Sequence, residues 1–264
     1  IHNASGNTAY LRTSIEAAQG LTKSGTDSVI LQGRNNLGGI VNIAQGNLYI
    51  RDSDALRGAT EVRTQGDGIM IMNYGIAVTN VDLRAGERHW GGPALISESQ
   101  HNVFGGDILI ENVDPQGIIT HDVRLRAGGN AQTASLTLLG DIGLTESGAS
   151  SDVNLNDPQI LYLNESGGIF NLKGTVGDRI VDGEALPFDP TVGGQMTHTR
   201  VSGGWMTYRA ANENYVLRTI IDGNGGVNSG DELNVNIYNP WNAAGRLYAY
   251  QGTIRFLGDP AAGK

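Results

Sequence analysis

The carboxylates with the chemistry for acid–base work stand singly or in loose pairs at turn-like positions: Asp52 and Asp54, Asp141, Asp152 and Asp157, Asp178 and Asp182. Glycoside hydrolysis needs two carboxyls about 5–9.5 Å apart across a bound sugar. No spacing here selects such a pair, and no Lys/Arg cluster stands beside one, so they read as solvated turn aspartates. The segment 222–232 (DGNGGVNSGDE) has the composition of a calcium loop, yet Leu233 occupies the place of the closing glutamate. A glycine-rich hairpin turn fits it better. The five histidines (His2, His89, His101, His121, His198) lack metal-ligand spacing, although His101 and His121 would stack in a fold that repeats every 20 residues. There is no Gly-x-Ser-x-Gly elbow, and the glycine-rich segments lack the lysine of a phosphate loop. No catalytic, cofactor or metal residue is assigned. Trp90, Trp205, Tyr208, Tyr215 and Trp241 form the candidate contact surface, because exposed aromatic faces stack on sugars or bury at protein interfaces. Core or corner packing is the competing role for each.

The elements that would position these groups are short strands. Within residues 20–50 the apolar positions alternate in strands Ser28–Leu31, Gly39–Ile43 and Asn47–Ile50. Val29, Leu31, Val41, Ile43, Leu48 and Ile50 then share the buried side, and Ser28, Ile30, Asn42 and Tyr49 take the other. Parts of this stretch return. Asn35-Asn36-Leu37-Gly38-Gly39 is echoed 67 residues on by Asn102-Val103-Phe104-Gly105-Gly106. Leu83-Arg84-Ala85-Gly86 is echoed 42 residues on by Leu125-Arg126-Ala127-Gly128, and Gly20-Leu-Thr-Lys-Ser-Gly25 returns 123 residues on at Gly143–Gly148. Three, two and six turns of about 20–22 residues account for these offsets, the rung length of a β-solenoid. A two-sheet sandwich also has many short strands and Gly turns, but gives no reason for corners to repeat.

Composition agrees. Gly is 39 of 264 residues, about twice the usual share of roughly 7 %, and helical-period runs are missing. Ser14–Gly20 is the best short helix candidate, or else a rung edge. The net charge of −9 and the absence of a basic patch exclude nucleic acid as an expected partner. With no Cys there are no disulfides, zinc–thiolate sites or thiol nucleophiles. No apolar run is long enough for a transmembrane helix. The chain opens at Ile1, without an initiator Met, inside repeat-like sequence, from which we expect a segment of a longer precursor.

The line GLTKSG-x-x-x-VILQG-x-NNLGG-x-V-x-I-x-x-GNLYI, followed by ALRG and GDGIMIM, resembles the autotransporter-associated β-strand repeat of Gram-negative surface proteins. Residues 20–146 carry the resemblance; 147–264 share only scattered strands such as Gly252-Thr-Ile-Arg-Phe256. Leu37 departs from the aromatic usual at its position, and Phe104 restores it in the second copy. The resemblance implies a right-handed parallel β-helix, export, and an adhesive or structural role, with no catalytic residues to carry over.

The expectation is therefore an all-β, right-handed parallel β-helix, regular over 1–148 and continuing over 149–264 with loop excursions, in one continuous domain. Its expected role is that of a non-enzymatic structural or adhesive segment at a Gram-negative cell surface. Expected partners are neighbouring repeats or further copies of the chain, surface glycans or host proteins. Excursions at 88–93 and 187–199 would make the contacts. A carbohydrate-active β-helix enzyme and a passive glycan-binding module are the alternatives.

Overall fold

The computed structural model describes residues 1–86, 93–110, 122–128, 134–145, 160–164, 168–181, 184–186, 218–222, 233–238, 247–250 and 252–257. These residues form an all-β protein without helix, and every described strand pairing is parallel except one. An antiparallel sandwich does not pair in this way.

The strands fall into three files. The first file runs through β1 (Ala9–Leu11), β4 (Val29–Leu31), the second halves of β6 (Gly39–Ile50) and β7 (Ala59–Met72), β10 (Pro93–Ser97), β13 (Asp122–Ala127), β16 (Ile160–Asn164), β20 (Arg218–Asp222) and β22 (Leu247–Tyr250). The second contains β2 (Glu16–Ala17) and β5 (Asn36–Leu37), then β8 (Ala77–Val78), β11 (Gln100–Phe104), β14 (Ala134–Leu138), β17 (Ile169–Leu172), β21 (Leu233–Ile237) and β23 (Gly252–Phe256). The third takes β3 (Leu21–Lys23), the first halves of β6 and β7, β9 (Asp82–Ala85), β12 (Ile108–Ile110), β15 (Ile142–Thr145) and β18 (Val176–Val181). The antiparallel β19 (Glu184–Leu186) closes its far side. From β1 to β18 the chain visits first, second and third file in that order and returns.

Alternation decides what is buried. Leu31, Ile50 and Met72 of the first file, Val41 and Val62 of the third and Phe104 and Leu136 of the second are fully buried in one core. One position differs from expectation: Ile30 points outward between Tyr10 and Tyr49 in its ladder, yet is only 2 % exposed. Lys23 is the exception inside. Its ammonium donates to the carbonyls of Gly25, Gln45 (2.6 Å) and Ser24 (3.3 Å), where β6 bends from the third file into the first. Gly46 makes that bend at φ 71°, where a Cβ would lie 2.6 Å from the carbonyl oxygen of Thr26. Burial lowers the Lys23 pKa, and Asp27 opposes the shift.

The expected strands 39–43 and 47–50 are one continuous strand, β6, bent with a register shift between Ile43 and Gln45. Ser14–Gly20 contains the short strand β2 rather than a helix, because Glu16 and Ala17 pair with β5. The 20–22-residue spacing holds through β9 and then fails. Met70 pairs with Leu95, Leu95 with Leu125, Gln100 with Ala134, Ile160 with Arg218 and Ile169 with Asn234. Strand lengths change little; the connections do. Between second- and third-file strands they stay at three residues (79–81, 105–107, 139–141, 173–175), whereas returns to the first file lengthen from 86–92 to 111–121, 146–159 and 187–217.

Two of the three echoes need correction. Leu83-Arg84-Ala85 lies on β9 of the third file and Leu125-Arg126-Ala127 on β13 of the first, so they share alternation and not register. Gly20–Gly25 and Gly143–Gly148 do share a file at Leu21–Lys23 and Ile142–Thr145, but Leu144 stands in the line of Lys23 and five circuits separate them, not six. The Asn35/Asn102 echo holds at three circuits. Both asparagines are buried, and their Oδ1 atoms accept from the N–H groups of Ile15 (2.9 Å) and Ile76 (3.0 Å) in the circuit before.

Candidate functional site

Trp90, Trp205, Tyr208, Tyr215 and Trp241 all lie outside the described residues, as do His89, His121, His198, Asp152, Asp157, Asp182 and the loop 223–232. Their places in the chain are nevertheless informative. Each of the five aromatics falls in a connection that leads back to the first file: Trp90 between β9 and β10, Trp205, Tyr208 and Tyr215 between β19 and β20, Trp241 between β21 and β22.

The described residues add a second aromatic group on the outer side of the first file. Tyr10, Ile30, Tyr49, Ile71 and Ile96 stand in one outward ladder across five circuits. Tyr10 is 51 % exposed, and Tyr74, at the corner after β7, 55 %. The Arg12 guanidinium lies 5.3 Å from the Tyr10 ring centre, and Arg51 spans Tyr49 and Tyr74 at 5.5 and 5.0 Å. Burial raises the Tyr49 pKa, Glu98 pushes the same way and Arg51 opposes them. Such a face offers flat apolar area beside cations, the chemistry of sugar or protein contact.

The third group is a line of carboxylates where the second file turns into the third. Asp82, Asp107 and Asp141 occupy equivalent positions in three successive circuits. Asp107 N–H donates to Asp82 Oδ1 (3.0 Å), Asp141 N–H to Asp107 Oδ1 (2.8 Å) and Thr175 N–H to Asp141 Oδ1 (2.7 Å). Main-chain bonds run back the other way: Leu83 N–H donates to the Asp107 carbonyl and Ile108 N–H to that of Asp141, both at 2.8 Å. Gly106, Gly140 and Gly174 precede Asp107, Asp141 and Thr175, and a Cβ on any of them would come well inside 3.0 Å of the preceding circuit's carbonyl oxygen. Burial pushes the Asp107 carboxyl up; the Asp141 N–H opposes this, while the charges of Asp82 and Asp141 reinforce it. Stacked carboxylates of this kind satisfy the distance for glycosidase chemistry by repetition alone, but here one oxygen of each is committed to the backbone.

Comparison with family models, curated proteins and solved structures gave no match. Chemistry must be judged on the side chains themselves. His101 Nδ1 lies 2.6 Å from Ser135 Oγ, the separation of a nucleophile and its base, but Ser135 is buried and no acid is seen orienting the imidazole among the described residues. No group of three metal-ligating side chains occurs among them either. Reading the sequence at a fixed period missed the carboxylate line, because its members are 25 and 34 residues apart. The recurring Gly-Asp-Ile at 106–108 and 140–142 was the signal that could have found it.

Proposed function

We propose that this chain is a right-handed parallel β-helix that serves as a non-catalytic structural and adhesive segment of a Gram-negative bacterial surface protein. The observation that carries this reading is the asymmetry of the connections. One corner of every circuit is fixed at three residues and consumed by backbone bonding, while the returns to the first file lengthen and hold all five candidate contact aromatics. A scaffold whose polar groups are spent on its own corners presents recognition from the edge that is free to vary. The aromatic ladder beside that edge, with Tyr10 and Tyr74 exposed, supplies further contact area. Repeating circuits cannot bury their apolar faces alone, so neighbouring repeats or further copies are natural partners.

The test is binding of the full chain to arrayed surface glycans and host matrix proteins, with a Trp90→Ala/Trp205→Ala/Tyr208→Ala variant as control. Binding without turnover, lost in the variant while its thermal unfolding is unchanged, supports the reading. Release of reducing or unsaturated ends from a polysaccharide would replace it with the enzyme alternative. Light scattering checks self-association separately: a strict monomer at high concentration removes that part.

A further inference from the structure

The carboxylate line along the three-residue corner carries an inference independent of any adhesive role. In most proteins a half-buried carboxylate is held ionised by a cation or by several N–H donors, and acid weakens the fold by protonating it. The line Asp82–Asp107–Asp141 is arranged differently. Its members succeed one another at strand spacing, about 4.8 Å, so their charges repel. Cations serve only its upper end. Glu61 is the next acid above Asp82 in the ladder, and Arg63 and Arg84 both bind it, Arg84 at 2.9 Å. Beside Asp107 and Asp141, the outward positions held by Arg63 and Arg84 on β7 and β9 are taken by Leu109 and Gly143. The preceding corner contributes Thr79 and Asn80, the intervening residues are Gly105, Gly106, Leu139 and Gly140, and the next circuit places Thr175 against Asp141. Lys173, on that same corner, has its ammonium 4.5 Å from the centre of the Tyr238 ring.

The hydrogen bonds do not need the charge. Each aspartate uses Oδ1 to accept one N–H from the following circuit. A protonated carboxyl keeps that acceptor and loses only the repulsion. Asp107, with a carboxylate on either side, gains most.

We propose that Asp82, Asp107 and Asp141 form a proton-operated latch, which takes up protons as pH falls into the carboxylate range and ties three successive circuits together more firmly in acid. The sign follows from linkage. A carboxyl held above its unfolded value adds stability below that value and loses the gain as pH rises through the folded one. Ionisation of the line is a cost that acid removes, opposite to the behaviour of Glu61 with its two arginines.

The experiment compares thermal unfolding of the full wild-type chain and of Asp107→Asn across the range from neutral pH down to about pH 4. The amide keeps the Oδ1 acceptor and deletes the charge. We expect Asp107→Asn to melt a few degrees higher at neutral pH, with the difference disappearing in acid. Carbon-detected NMR titration of the wild-type side chains supplies a second readout, and decides the matter by itself if the variant does not fold. There Asp107 should titrate above the ordinary aspartate range. A gain that is the same at every pH, no gain, or an Asp107 titration at or below the ordinary value each overturns the latch.

Discussion

Replacing Gly140 with alanine tests how tightly the three-residue corner is closed. The φ of Gly140 is not in the left-handed region, so an added methyl meets a problem of space and not of backbone conformation. Its Cβ would fall well inside 3.0 Å of the Gly106 carbonyl oxygen, and the far side of the same peptide is packed by Gly174. Ordinary van der Waals contact starts near 3.4 Å, so the two circuits must part. Two bonds span the gap: Asp141 N–H to Asp107 Oδ1 and Ile108 N–H to the Asp141 carbonyl, both 2.8 Å. Overpacking costs about 1–3 kcal/mol. Stretching one neutral and one charge-assisted bond adds about 2–4 kcal/mol, and alanine's smaller unfolded-state entropy returns about 0.5–1 kcal/mol. The net, about 3–5 kcal/mol, lowers the melting temperature by about 6–20 °C in a chain of this size. Urea titration followed by circular dichroism measures it. Gly6→Ala is the comparison: it adopts φ 76° with nothing within 4 Å of its Cβ, so only the left-handed penalty of about 1–2 kcal/mol applies. If Gly140→Ala lies within about 1 kcal/mol of wild type, or costs less than Gly6→Ala, the argument that close approach dictates this glycine fails.

Two further substitutions probe buried polar groups. Asn102→Ala removes the acceptor for Ile76 N–H and the donor to Ser97 Oγ and the Ser99 carbonyl, each at 2.8–3.0 Å. Loss of about 2–4 kcal/mol is expected in denaturant titration, since buried partners are left unsatisfied at about 1–3 kcal/mol each. Lys23→Met leaves the carbonyls of Gly25 and Gln45 without their donor and should cost about 1–3 kcal/mol at neutral pH. Because burial lowers the Lys23 pKa, wild type gains stability as pH rises from the folded value toward the unfolded one, about 10.4. Unfolding scans in alkali should show that gain in wild type and not in Lys23→Met.

What could be read in advance depended on whether a residue type was dictated by its place. Asn35 and Asn102 could be matched across 67 residues because a corner asparagine must accept an N–H from the circuit before and donate onward, a task few side chains share. The Leu-Arg-Ala echo misled for the converse reason. Apolar-polar-apolar order is what any half-buried strand requires, whichever file it occupies. The period of 20–22 residues was legible where β6 and β7 pass round the corner unbroken, and was lost once the returns to the first file began to differ in length. The carboxylate line escaped for the same cause: its register lives in the pairing, and unequal loops hide pairing from any fixed spacing. The aromatic ladder from Tyr10 to Ile96 mixes tyrosine and isoleucine, so its members look unrelated until the strands are laid side by side.

The contrast between the two corners also bears on how such a chain can grow or be altered. At 105–107 and 139–141 every added residue would have to break a bond to the circuit above or below, so length there is frozen. On the return to the first file the same fold already accommodates connections of very different size. That edge is a permissive seam, at which foreign peptide, a reporter or an epitope can be spliced without asking the core to change. Lineages of this architecture would diverge along that seam while their Gly-Asp corners stay recognisable, and an engineer choosing where to cut should follow the same line.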